Sequence, residues 1–165
     1  MMENSFLHRS VGQIGYVVKD IYRTMDYYIE HHGITGWHVY TYGSPLLRFM
    51  RYHGKDIEYS AHIALNYFGN TRIELIQNLE GKTLYTDFIE THGYGLHHLG
   101  VYVEDIQKEL EAARLEGIEI SMEGGGFGLD GDGHFAYLDT QDTAGAIYEL
   151  IERPKRRADP EAIYP

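Results

Sequence analysis

The chain has 165 residues, 43% of them hydrophobic and 24% charged, which provides enough core for one folded body and excludes disorder as the default. A net charge of −11 excludes the basic footprint that nucleic acid or an anionic membrane requires. The absence of cysteine removes disulfides, thiolate nucleophiles and Cys-ligated metal sites together. What stands out is 15 Tyr and 10 His in so short a chain. Met1 to Ser10 has no apolar core of the kind that marks a secretory signal. Nor does any stretch approach the roughly 20 apolar residues of a membrane span. The expectation is a soluble, cytoplasmic protein with no nucleic-acid or membrane partner.

Taken in order, the chain repeats itself. Gln13-Ile14-Gly15-Tyr16-Val17-Val18-Lys19-Asp20-Ile21 lies over His98-Leu99-Gly100-Val101-Tyr102-Val103-Glu104-Asp105-Ile106. In each copy an apolar, β-branched run ends in Asp-Ile, and the period then changes from two to about 3.6. Asp20 is an N-cap, Ile21, Met25, Tyr28 and Ile29 form an apolar stripe, and Gly33 stops the helix. Asp105, Ile106, Leu110, Ala113 and Gly117 repeat that plan. Strand-like runs follow at 37–42, 61–67 and 72–77 in the first copy, and at 119–122, 134–139 and 147–152 in the second. Ile73-Glu74-Leu75-Ile76 echoes Tyr148-Glu149-Leu150-Ile151, with the extra residues of the first copy placed within Gly36 to Ser60.

The predicted fold class is therefore α+β. A single domain spans 1–165, with a first β-α-β-β-β module at about 11–80, a connector helix at about 82–92 and a second module at about 95–152. The tail, 153–165, carries Lys155-Arg156-Arg157 and three of the four prolines, and reads as a solvated extension.

The repeat sets polar residues at equivalent places inside apolar strands. Gln13 matches His98, and Glu74 matches Glu149. A buried carboxylate without a partner costs several kcal/mol, so two in matching strands need an explanation. Packing of the modules about a pseudo-twofold axis would bring all four side chains into one cleft. One amide oxygen, one imidazole nitrogen and two carboxylates suit a divalent ion and leave positions open for substrate.

These residues resemble a known family. Gly95-Leu96-His97-His98-Leu99-Gly100, Gly69-Asn70-Thr71-Arg72-Ile73-Glu74-Leu75 and Tyr148-Glu149-Leu150, with the duplication, are similar to the vicinal oxygen chelate (glyoxalase/bleomycin resistance/dioxygenase) superfamily. In local pattern the nearest branch is methylmalonyl-CoA epimerase. The resemblance implies an incomplete barrel of two pseudo-twofold-related modules around a metal cleft. It also implies a metal-dependent isomerase, epimerase or lyase that stabilises an enediolate-type intermediate by proton transfer next to a carbonyl. Glu74, His98 and Glu149 fall on ligand positions. Gln13 departs from the epimerase His, and the set Gln13, Glu74, His98, Glu149 is instead similar to one branch of glyoxalase I. The expected cofactor is Zn, Mn, Co or Ni, and the expected partners are a small-molecule substrate and a second copy in a homodimer.

For the base, Glu149 is one candidate through the glyoxalase resemblance. His62 and His134 are two more, because His62-Ile63-Ala64-Leu65 lies over His134-Phe135-Ala136-Tyr137 and both could flank the cleft. His97 is excluded as a ligand by strand alternation. Gly124-Gly125-Gly126-Phe127-Gly128 reads as a flexible cover. Trp37, Tyr40, Tyr42, Phe49, Tyr52 and Tyr59, with Arg48 and Arg51, suggest an aromatic pocket for a neutral or monoanionic molecule, or alternatively packing between the halves or copies. Two other readings remain: a metal-free binding or resistance protein, which would lack the tetrad, and an extradiol-type dioxygenase, which would want two His and one carboxylate.

Overall fold

A computed structural model describes residues 6–165; residues 1–5, part of the stretch read as carrying no signal, lie outside the described residues. After a turn of 3-10 helix at Phe6–His8, the first module runs β1 (Val11–Val17), α1 (Ile21–His32), β2 (Trp37–Tyr42), β3 (Phe49–Tyr52), β4 (Lys55–Asp56), β5 (Ser60–Phe68) and β6 (Thr71–Glu80). The connector is α2 (Leu84–His92). The second module runs β7 (Gly95–Val103), α3 (Ile106–Leu115), β8 (Ile120–Gly125), β9 (His134–Leu138), the short α4 (Gln141–Ala144) and β10 (Ile147–Glu152), and β11 (Ala162–Tyr164) ends the chain.

The caps arise as the sequence implies. Asp20 and Asp105 accept the backbone N–H groups of Arg23 and Lys108, satisfying donors that the first helical turn leaves free. Gly33 closes α1 at φ 65°, a left-handed conformation without penalty for glycine.

Among the described residues, eleven strands join one curled sheet in the order β11-β2-β5-β6-β1-β7-β10-β9-β8-β3-β4. Within each module the first and last strands pair in parallel, β1 with β6 and β7 with β10. β1 and β7 pair antiparallel at the centre, so the pseudo-twofold axis passes between them.

Strand alternation divides the side chains into two sets. Ile14, Tyr16, Ile73 and Leu75 face α1, while Val101, Ala136, Leu138 and Leu150 face α3. Val17, Ile63, Ile76, Phe135, Tyr137 and Ile147 face the concave side and form the largest cluster, against which Leu84, Phe88 and Ile89 of α2 pack. The connector thus plugs one end of the trough.

Two segments depart from expectation. The extra residues of the first module form the β3–β4 hairpin, which leaves its own module and pairs with β8 at the far edge of the other. Nor is the tail a solvated extension. β11 pairs with β2, Arg157 bridges Gly128, the backbone N–H of Lys155 donates to Asp132, and Arg156 pairs with Asp130. Each of these contacts joins residues far apart in sequence, so no local pattern announces them.

Candidate functional site

Gln13, Glu74, His98 and Glu149 lie on four adjacent central strands, all buried, all on the concave face. The ligand atoms of Glu74, His98 and Glu149 fall within 4.8 Å of one another. His98 Nε2 stands 3.0 Å from Glu149 Oε2 and 3.4 Å from Glu74 Oε2, yet makes no directed hydrogen bond. The Gln13 amide nitrogen donates to Glu149 Oε2 at 3.0 Å and to Glu74 Oε2 at 3.3 Å. Burial disfavours charge on His98, but the carboxylate charges of Glu149 and Glu74 outweigh it and raise its pKa to about 9. The Glu149 carboxyl is pushed upward, mainly by burial, although the His98 charge opposes that. A cation at this point would serve both carboxylates. An orphaned, inward-aimed imidazole nitrogen between two carboxylate oxygens fits a divalent ion in an N/O shell.

The site is built by a crossed pair of glycines. In the β1–β7 pairing Gln13 faces Gly100 and Gly15 faces His98. A methyl group on Gly15 would overlap the His98 ring itself, and one on Gly100 would come within 2.8 Å of Gln13 Cβ. Each polar side chain thus crosses the backbone of the opposite strand where a side chain is missing. The spacing Gln13-x-Gly15 over His98-x-Gly100 was present in the repeat as a signal for this arrangement.

His97 corrects the alternation argument. The register slips between the Gly15–His98 and Tyr16–Leu96 pairs, and the extra residue is His97. Both histidines consequently turn to the concave side, where His97 packs against Tyr85, Phe88 and Tyr137. Its Nδ1 lies 2.9 Å from His98 Nδ1. Burial holds the His97 pKa well below 6.5, with His98 and His92 adding to the effect, so a neutral His97 can accept a hydrogen bond from His98 Nδ1–H. That contact leaves His98 Nε2 pointing at Glu74 and Glu149, the arrangement a metal-binding histidine needs.

His62 and His134 do not flank the cleft. They are equivalent in the repeat, but their parity places both on the convex face. His62 sits against Tyr22 of α1. His134 Nε2 meets Glu123 at 3.0 Å and its Nδ1 meets Gln107 of α3 at 3.2 Å. The concave positions belong to their neighbours, Ile63 and Phe135.

The Glu123 carboxyl is held below its usual range, first by the His134 hydrogen bond and also by Arg51. A depressed folded pKa contributes stability above the unfolded value of 4.5, and this is lost as pH falls through the folded value. Glu123→Gln is expected to lower stability by about 1–2 kcal/mol at pH 6. Urea unfolding should show that difference shrinking towards zero by about pH 3, and a pH-independent difference would contradict the pairing.

Gly124 to Gly128 is not a flexible cover. Gly124 to Phe127 are buried and Gly128 half-buried, Gly124 and Gly125 lie in β8, and Gly126 and Gly128 donate to Gly133 and Asp132. Glycine is required there because Phe135 and Phe49 press to 2.7 Å from where Cβ atoms would sit. Of the aromatic insertion, Tyr40, Tyr42 and Tyr59 reach the concave cluster, whereas Trp37 packs beneath α1 and Phe49 against His134. Arg48 lies under Gly126 and Gly131, and Arg51 pairs with Asp56 and Glu123, so neither lines the cleft. The arginines that do are Arg72, Arg153 and Arg157.

Comparison with known proteins places this geometry in a family. The profile of the glyoxalase/bleomycin resistance protein/dioxygenase superfamily matches residues 12–137, which covers β1 through most of β9. The chain belongs to that superfamily. As a member of the glyoxalase/bleomycin resistance protein/dioxygenase superfamily, it shares its fold with several solved structures. A hypothetical protein of Bacillus halodurans superposes with a TM-score of 0.59 at 20% identity, over 92% of this chain and 99% of the other. Methylmalonyl-CoA epimerase from Mycobacterium tuberculosis gives 0.63 at 18% identity, over 94% and 95%. A Streptomyces coelicolor methylmalonyl-CoA epimerase variant in complex with 2-nitronate-propionyl-CoA gives 0.63 at 14% identity, over 91% and 98%. A search of curated proteins gives no match. Among the described residues, no helix is long and apolar enough to cross a membrane.

Proposed function

We propose that the protein is a metal-dependent isomerase or epimerase acting by proton transfer next to a carbonyl, with Gln13, Glu74, His98 and Glu149 as the metal site. The observation that carries this reading is the buried Glu74–His98–Glu149 cluster with its unpartnered His98 Nε2. A divalent ion bound there would supply Lewis-acid stabilisation of the negative charge that develops on a substrate oxygen. Glu74 and Glu149 supply the compensating charge, His98 supplies nitrogen through Nε2, and Gln13, whose amide nitrogen donates to both carboxylates here, would offer its oxygen once the amide turned over.

Glu149 is the base in this proposal. Released transiently from the ion, its carboxylate would stand beside the substrate and take the proton as a general base. His62 and His134, on the convex face, do not compete for the role. Beneath the cluster, burial keeps the Tyr59, Tyr85 and Tyr137 phenols protonated well above 10. The Tyr85 and Tyr137 hydroxyls bond at 2.9 Å, while the Tyr59 hydroxyl is buried without a partner. These phenols and the rings of α2 exclude water from the floor of the site, which strengthens every electrostatic interaction above it.

The test is metal analysis of purified protein before and after chelation, with melting measured on re-addition of Zn, Mn, Co and Ni. One ion per chain and a rise of several degrees are expected, since binding to the folded state alone stabilises by about 2.7 kcal/mol at a hundredfold excess over Kd. No bound ion and no shift would favour a metal-free binding protein instead.

A further inference from the structure

The cleft has an inner and an outer part. The inner chamber, about 20 Å³ and so little more than water-sized, is lined by Gln13, Glu74 and Glu149. The outer groove, about 460 Å³, runs along His38, Tyr40, Leu65 and Asn66. Arg72, Arg153 and Arg157 line both spaces and form the wall they share.

Three guanidiniums crowd together here without carboxylate partners: among the described residues, none makes an ion pair. The Nε atoms of Arg72 and Arg157 are buried with no hydrogen-bond acceptor. Arg153 stacks at 3.6 Å over the ring of Tyr102, whose hydroxyl is also buried and unpartnered. Arg157 lies over Tyr40 at 4.9 Å and donates to the Tyr42 hydroxyl at 3.0 Å. The tail that delivers it is tied down at Gly128, Asp130, Asp132 and β2. Such stacked, anchored arginines keep their forks open for an oxyanion.

The local charge points the same way. A divalent ion among Glu74 and Glu149 would leave that cluster neutral, so the three arginines would give the site a surplus of positive charge in a chain whose net charge is −11. A neutral substrate would leave the buried Nε–H groups unanswered. The expectation of a neutral or monoanionic substrate is drawn from the aromatic insertion with Arg48 and Arg51, whereas the arginines at the cleft are Arg72, Arg153 and Arg157.

We propose that Arg72, Arg153 and Arg157 form a subsite for an anionic group, a carboxylate or a phosphate, on the substrate. The placement of the substrate's reacting end rests on the reading of the neighbouring cluster as the reaction centre. The anion subsite itself does not need a metal.

Calorimetric titration of the full chain, chelator-treated and zinc-loaded, tests this with inorganic phosphate, malonate and the neutral malonamide. At least one anion should bind the chelator-treated protein and malonamide should not. Arg72→Gln and Arg157→Gln should each weaken that binding tenfold or more, Arg157→Lys should restore part of it, and Arg156→Gln should change nothing. Phosphate binding without malonate assigns a phosphate group, and the reverse a carboxylate. Metal content, measured in parallel, should be unaltered in the arginine variants. Loss of metal binding with arginine-dependent anion binding intact would remove the proposed reaction while keeping the subsite. Anion binding that is undetectable at millimolar concentration, equal for malonamide, or indifferent to both Gln variants would overturn the subsite.

Discussion

Glu149→Gln is expected to abolish proton exchange while leaving the fold intact. The substitution keeps the shape of the side chain and a hydrogen-bonding oxygen for Gln13, but removes the charge that His98 faces at 3.0 Å. It also removes the group best suited to take a proton, since general-base catalysis is worth roughly 10²–10⁴ in rate. Exchange of the α-proton in D2O, followed by NMR for whichever of a panel of CoA thioesters and hydroxy-ketones wild type turns over, should fall by at least about a hundredfold. Far-ultraviolet circular dichroism should be unchanged. Exchange within threefold of wild type would remove Glu149 as the base. The role could not then pass to His62 or His134, which face α1 and α3, and Glu74, the other carboxylate of the cluster, would be next to test.

The second large effect is steric. Gly15→Ala places a methyl group inside the space of the buried His98 ring, so either the ring leaves the site or β1 separates from β7. Overpacking of this kind costs about 1–3 kcal/mol or more, and about 2–4 °C of melting temperature per kcal/mol is typical at this chain length. The variant should melt clearly lower and lose metal binding. Gly100→Ala is the comparison, because its methyl group would come to 2.8 Å from Gln13 Cβ and 2.9 Å from the movable Ile151 Cδ1 rather than inside a ring. It should be milder in both measurements. A Gly15→Ala protein that melts like wild type and holds its metal would show that the crossed glycines do not build the site.

The repeat carried much of this in one dimension. Matching apolar strands with Gln13 over His98 and Glu74 over Glu149 are visible without coordinates, because duplication preserves strand parity within each pair. The helix ends were equally local, set by Asp20, Asp105 and Gly33. His62 and His134 show the limit of the same reasoning. Their equivalence was correct, but equivalence does not say which face a strand position takes. His97 shows another limit, since a one-residue bulge reverses side-chain direction and depends on the partner strand.

The sequence by itself determined the order of elements, the duplicated plan and the polar residues that the plan holds in common, since these follow from short-range periodicity and self-similarity. Tertiary structure alone decided that β3 and β4 would cross to the other module, that the tail would strap back onto β2, and that Arg72, Arg153 and Arg157 would meet at one wall. Those outcomes depend on strand register and on contacts between segments up to a hundred residues or more apart, as when Arg157 reaches Tyr42. Net charge summed over the chain averages such contacts away, which is why an acidic protein can keep a cationic cleft.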